Sequence, residues 1–221
     1  MNMILTDKKI KEALSNGDIK IDPFIDSQVE PASYDLRVGK HGATTSTKKI
    51  IDIEKQGYIL IEPGDFAIVA VLEEILLSTK HVGRIGLRSK YARKGLIATT
   101  GPQVDPGYHG RLKIGMTNLT PKPISLPFKD DFITLELHEL TEPASTPYTG
   151  PYQDQLDLSP EDIEAVTEGS GMALSEVMVT LRSLTQNVAA LAGEVKSLKW
   201  LIPLIITIGI GIISLIVAVI K

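Results

Sequence analysis

Two short stretches carry residue types able to do chemistry, the first of them suited to a phosphate chain. Arg88-Ser89-Lys90-Tyr91-Ala92-Arg93 sets two guanidinium groups and a hydroxyl within six residues. An arginine fork is always charged and binds phosphate oxygens bidentately, which suits a phosphate chain. Val104-Asp105-Pro106-Gly107-Tyr108-His109-Gly110 sets a carboxylate and an aromatic ring three residues apart around a Pro-Gly turn. Taken singly, the first run is a surface cluster of weak ion pairs and the second a good tight turn. A third run, Arg111 to Asn118, has strand alternation. Leu112, Ile114 and Met116 fall on one face, with Arg111, Lys113, Gly115 and Thr117 on the other.

Composition excludes several chemistries. The 221 residues contain no cysteine, which removes disulfides, thiolate zinc sites and cysteine nucleophiles. The four histidines, His41, His81, His109 and His138, lack the spacing of a zinc pair on one helix. The cysteine-rich signature of zinc-dependent cytidine deaminases is therefore missing. A formal charge of −4 without a basic stripe argues against a nucleic-acid partner.

With these runs in register, the chain resembles the superfamily of homotrimeric dUTPases and dCTP deaminases. Pro31-Ala32-Ser33-Tyr34-Asp35-Leu36-Arg37 and Glu62-Pro63-Gly64-Asp65-Phe66 add to the pattern, and the resemblance covers roughly residues 3 to 156. It implies a mainly β head, a distorted jelly-roll β-barrel, assembled as a homotrimer. It also implies phosphate binding by Arg88, Ser89 and Arg93, although Lys90 replaces the family's second serine. Asp105 aligns with the aspartate that orients the attacking water and contacts the sugar 3′-hydroxyl in dUTPases, and mainly holds the sugar in the deaminases. Tyr108 aligns with the ring that packs under the deoxyribose.

One position departs from the family in a way that bears on chemistry. Gly115 stands where the deaminases carry the glutamate that moves protons between water, ring nitrogen and departing amine. General acid–base help is worth about 10²–10⁴-fold, and glycine has no side chain to give it. Glycine instead lets a base approach the backbone closely, so Gly115 joins Asp105 and Tyr108 as a candidate sugar and base contact. Tyr148, Tyr152 and Gln155 resemble the deaminase-type closing arm, with Pro151 in place of a phosphate-binding lysine.

The expected partner is a deoxypyrimidine nucleoside triphosphate. The expected reaction is hydrolysis of dUTP or dCTP to the monophosphate and pyrophosphate. Asp105 would serve catalysis, with Mg²⁺ bound mainly through the triphosphate and no protein metal site. Two alternatives stay open: dCTP deamination with an acid recruited from elsewhere, and a non-catalytic, membrane-tethered nucleotide sensor or scaffold.

The elements that must position these residues are short. A helix starts at Thr6 or Asp7 and stops at Asn16-Gly17, and from residue 19 to 140 short β-rich runs alternate with Gly/Pro turns. Residues 1–156 are read as the head, and residues 157–171 as a linker holding a short helix. Ser159-Pro160-Glu161-Asp162 starts that helix and Gly169-Ser170-Gly171 breaks it. Leu174, Val177, Leu181, Leu184, Val188, Leu191, Val195 and Leu198 alternate steps of three and four, predicting a coiled coil over 172–199.

Leu201 to Ile220 carries no charge. At about 1.5 Å per residue, such a run matches a bilayer core of about 30 Å. The expectation is a single-pass tail anchor over 200–221, with Trp200 at the interface. Arg182, Lys196 and Lys199 before the span, against Lys221 after it, favour a cytoplasmic head.

Overall fold

The β-rich runs between residues 19 and 140 pair into a curled, antiparallel sheet system, and the head is mainly β as expected. The computed structural model describes residues 3–168 and 171–220. Side chains at 168, 171–179, 197, 198, 200, 202–205, 207 and 214–220 lie outside the description. The residues divide into two units, Met1–Ser175 and Glu176–Lys221.

In the first unit the main sheet runs Leu96–Ala98, Lys113–Asn118, Phe66–Val71, Ser33–Thr44, Asp131–Glu139, His81–Leu87 and Gln103–Val104. Its curl comes from the long strand Ser33–Thr44. The first half of that strand pairs with Asp131–Glu139 and the second half with Phe66–Val71, with a register shift between Val38 and Gly42. Such an irregularity bends a strand and lets it serve both halves of the sheet. Gly39 lies in the shift, where a Cβ would stand 2.4 Å from the Ala70 carbonyl oxygen.

Two small sheets close the ends. One joins His109–Gly110, Glu74–Leu77 and Ile19–Asp22, and the other joins Ile124–Pro127 with Tyr58–Ile61. The inward faces supply a continuous apolar core that includes Tyr34, Leu36, Val38, Ile59, Val69, Ile75, Ile114, Met116, Phe132 and Leu135. One ion pair is buried beside it, Arg37 Nε to Glu73 Oε1 at 2.6 Å. Burial pushes the Glu73 carboxyl up, against the pull of the Arg37 hydrogen bonds and charge.

Among the described residues the first unit carries the α-helices α1 (Asp7–Ser15), α2 (Ile53–Gln56), α3 (Ser89–Ala92) and α4 (Pro160–Glu168), and α5 spans Gly171–Ile220. α1 buries Ile10 and Ala13 and ends where Gly17 takes φ +74°. α4 starts at the cap expected from sequence. The Ser159 N–H and hydroxyl both donate to Asp162 Oδ2, at 2.6 and 2.8 Å. Its apolar face places Val166 against Ala43 and Ile68, with Leu158, Ile163 and Phe66 around them.

The second unit is the body of α5. Leu181, Leu184, Val188, Leu191 and Val195 are each more than half exposed, a continuous apolar stripe at heptad spacing. Leu174, Val177 and Leu198 of the same pattern lie outside the described side chains, and Gly169-Ser170 outside the described residues.

The expected membrane anchor over Leu201–Ile220, and with it the expected membrane location, is corrected. Among the described residues no helix is long and apolar enough to cross a membrane. A crossing needs about 20 consecutive apolar residues.

Candidate functional site

The turn at Asp105 forms the floor of a cavity of about 530 Å³. Tyr108 N–H donates to the Asp105 carbonyl at 3.1 Å, closing the turn. Gly107 takes φ +85°, which its neighbours in this turn type could not adopt without strain. A Cβ at Gly107 would also stand 2.5 Å from Pro147 Cβ, because the C-terminal arm crosses the turn there. The Asp105 carboxylate accepts from Gln103 Nε2 at 2.7 Å. Tyr108 is 6% exposed. Burial, and then the neighbouring Tyr148, push its phenol well above the usual range, so it meets a ligand as a neutral ring.

The arm is strapped down by backbone geometry as well as by side chains. Tyr148 N–H donates to the Pro106 carbonyl at 2.8 Å, Asp154 N–H to His109 O at 2.8 Å, and Arg111 N–H to Gln155 O at 2.8 Å. Gln153 grips both sides of the turn, donating to Gly107 O at 3.1 Å and accepting from His109 N–H at 3.2 Å. His109 sits between Asp154 (2.5 Å) and Glu74 (2.9 Å), and these carboxylates, Asp154 first, raise its pKa. Tyr148 and Tyr152 line the cavity, and the Gln155 side-chain oxygen Oε1 accepts from the Lys113 ammonium.

Gly115 lies in the cavity wall, but its main chain is already engaged. Its N–H donates to Thr100 Oγ1 at 2.6 Å, and its carbonyl accepts from Thr99 N–H at 2.8 Å. The space for a side chain is taken as well. A Cβ at 115 would meet Thr99 Oγ1 at 2.8 Å and Phe66 Cε2 at 3.1 Å. Thr99 and Phe66 thus occupy the space beside the glycine.

Three lining residues were not legible as site residues in the sequence. Lys113 and Asp162 form an ion pair at 2.6 Å with side chains only 9% and 13% exposed. Arg111 donates from Nη1 to Leu156 O at 3.0 Å, while its buried Nε has no hydrogen-bond partner. Strand alternation did place Arg111 and Lys113 on the face of Gly115. Asp162 read only as a first-turn acid of a helix, and nothing local aims it at Lys113.

Arg88, Ser89 and Arg93 are not brought to this cavity, since none of them lines it. Arg88 leads into α3 and is engaged by carboxylates: Asp35, which is buried, Asp131 from Nε at 2.9 Å, and Glu30 at 3.8 Å. Lys90 pairs with Asp130 and Asp131 at 2.8 and 3.1 Å. Partial burial would raise the Asp131 carboxyl, but the Lys90 hydrogen bond and the Arg88 and Lys90 charges hold it below its ordinary value. Ser89 and Arg93 are exposed. Among the described residues, no group of three or more histidines or carboxylates could hold a metal ion.

The family model for "dCTP deaminase-like" proteins matches residues 4–129. A dCTP deaminase of Thermococcus sibiricus is 36% identical over 156 residues, covering 71% of this chain and 95% of that protein. A dUMP-forming dCTP deaminase of Methanothermobacter thermautotrophicus is 33% identical over 170 residues, covering 68% of this chain and 86% of that protein. Among solved structures, the fold resembles that of a 2′-deoxycytidine 5′-triphosphate deaminase from Agrobacterium tumefaciens, with a TM-score of 0.54 and 20% identity. That likeness covers 62% of this chain and about half, 48%, of the other.

Proposed function

Since the chain belongs to the dCTP deaminase-like family, we propose that it binds a deoxypyrimidine nucleoside triphosphate and hydrolyses it to the monophosphate and pyrophosphate. The observation that carries this reading is the contrast within one cavity. The Asp105–Tyr108 turn is intact, while the acid position of the neighbouring strand is Gly115, with its side-chain space filled by Thr99 and Phe66.

Tyr108 presents a buried ring for the deoxyribose to pack on. Asp105 orients a water and takes its proton as the oxygen attacks the α-phosphorus. The bond from that phosphorus to the bridging oxygen breaks, and pyrophosphate leaves. In this reading Mg²⁺ would be carried mainly by the triphosphate oxygens and would neutralise their charge.

The phosphate-binding run does not line the cavity of its own chain. In this reading Arg88, Ser89 and Arg93 serve a neighbouring copy in a homotrimer, where the substrate's phosphates replace the carboxylates now held by Arg88. The exposed stripe from Leu181 to Val195 supports the same assembly, because three copies of α5 in a coiled coil would cover it.

Incubating the purified full chain with Mg²⁺ and either dUTP or dCTP, and following pyrophosphate and base identity, tests the proposal. Pyrophosphate released with the base unchanged is expected. No turnover of either nucleotide sinks it. Deamination of dCTP is the second reading, favoured by the names of relatives as similar as 36%. A uracil nucleotide appearing from dCTP would establish it.

A further inference from the structure

A carboxylate stands in the cavity on the side where the strand supplies none. It comes from α4, beyond the region matched by the family model. We infer that Asp162 is a specificity-determining residue, facing the exocyclic edge of the pyrimidine and selecting a ring that bears an amino group, cytosine, over uracil. The inference rests on the reading of the cavity as a nucleotide site.

Asp162 is held in a way that leaves one oxygen to offer. Lys113 Nζ at 2.6 Å, Ser159 N–H at 2.6 Å and the Ser159 hydroxyl at 2.8 Å all converge on Oδ2. Oδ1 accepts no hydrogen bond among the described residues. The cap fixes the carboxylate relative to the helix, and the ion pair fixes it relative to the strand. Lys113 and Gly115 share one face of that strand and line the cavity together with Asp162. The main-chain groups of Gly115 are engaged by Thr99 and Thr100, so a base arriving at this wall meets side chains.

An ionised carboxylate only accepts hydrogen bonds. The exocyclic amine of cytosine is a donor at one corner of the ring and satisfies Oδ1 directly. Uracil places a carbonyl oxygen at that corner, and its single N3–H lies between two such oxygens. A carboxylate reaching for it therefore meets lone pairs on both sides. The other unsatisfied group of the wall, Arg111 Nε, is a donor that fits a ring carbonyl. Both pyrimidines carry the 2-carbonyl, so the discrimination falls on Asp162. Leaving a buried polar group unpaired in the wrong complex corresponds to about tenfold to a hundredfold in affinity.

The test measures binding, so it does not depend on turnover. Dissociation constants of the α,β-imido analogues of dCTP and dUTP are determined for the full chain, for Asp162→Asn and for Ser159→Ala. The wild type is expected to prefer the cytosine analogue by about tenfold or more. Asp162→Asn should lose or invert the preference, because its amide can donate to the uracil 4-carbonyl. Ser159→Ala loosens the cap but keeps the carboxylate, and should retain the preference.

Equal affinities in the wild type, or an unchanged ratio in Asp162→Asn, would overturn the inference while leaving the nucleotide reading intact. The wild-type ratio decides the matter even if Asp162→Asn does not fold. Failure of either analogue to bind the wild type would remove the nucleotide reading and this inference with it.

Discussion

Tyr148 lies against Tyr108 with ring centroids 5.8 Å apart and planes inclined by 57°. The pair joins the arm to the turn that carries Asp105, so the residue that would support the sugar is itself held by a residue of the arm. Tilted aromatic pairs contribute about 0.5–1.5 kcal/mol beyond their burial. Tyr148→Ala is therefore expected to free the arm, read as faster proteolysis after residue 140, and to weaken nucleotide binding. Tyr108→Ala removes a buried ring and should cost more in stability, about 3–5 kcal/mol by urea unfolding. A double-mutant cycle should show the two effects to be non-additive.

Gly107→Ala is the sharpest probe of the turn. The position combines φ +85° with Pro147 Cβ 2.5 Å from where the new methyl would sit, so neither the turn nor the arm can accept it unchanged. The substitution should destabilise the head by more than about 1 kcal/mol, and the arm should lose protease protection before the barrel unfolds. Wild-type protection in this variant would show that the arm does not depend on the turn.

His109 makes arm docking depend on pH. Its hydrogen bonds to Asp154 and then Glu74 favour the imidazolium and raise the folded-state pKa above the ordinary histidine value. A group with a raised folded pKa stabilises fully below its unfolded pKa, about 6.5, and loses that contribution as pH rises through the folded value. Arm protection should therefore be strongest near about pH 6 and weaken above neutrality. His109→Gln should flatten the profile, and a profile as steep as wild type in that variant would contradict the assignment.

Restoring the deaminase glutamate should not by itself restore a deaminase. In Gly115→Glu the first side-chain atom meets Thr99 Oγ1 at 2.8 Å and Phe66 Cε2 at 3.1 Å. The expected result is a lower melting temperature and no uracil nucleotide from dCTP. Adding Thr99→Ala removes the closer contact and should recover part of the lost stability. Ready deamination by Gly115→Glu alone would mean that Thr99 and Phe66 are no obstacle.

What the sequence determined by itself is what neighbours along the chain decide. Strand alternation put Leu112, Ile114 and Met116 on one face and Gly115 on the other; Ile114 and Met116 are buried in the core, while Leu112 lines the cavity together with Gly115. The Asp105–Tyr108 turn follows from proline and glycine in adjacent places, and the α4 start from a serine cap followed by a proline and two acids. The apolar tail was the exception, because composition alone does not establish a membrane-crossing helix.

Only the tertiary structure decided the contacts made across long separations. It carried Asp162 to Lys113 across 49 residues of sequence, filled the space beside Gly115 with Thr99 and Phe66, and put Arg88 among carboxylates. Such contacts depend on how the sheet curls and where the arm crosses it. No local pattern encodes them, which is why the family could be read from the motifs while the composition of the cavity wall could not.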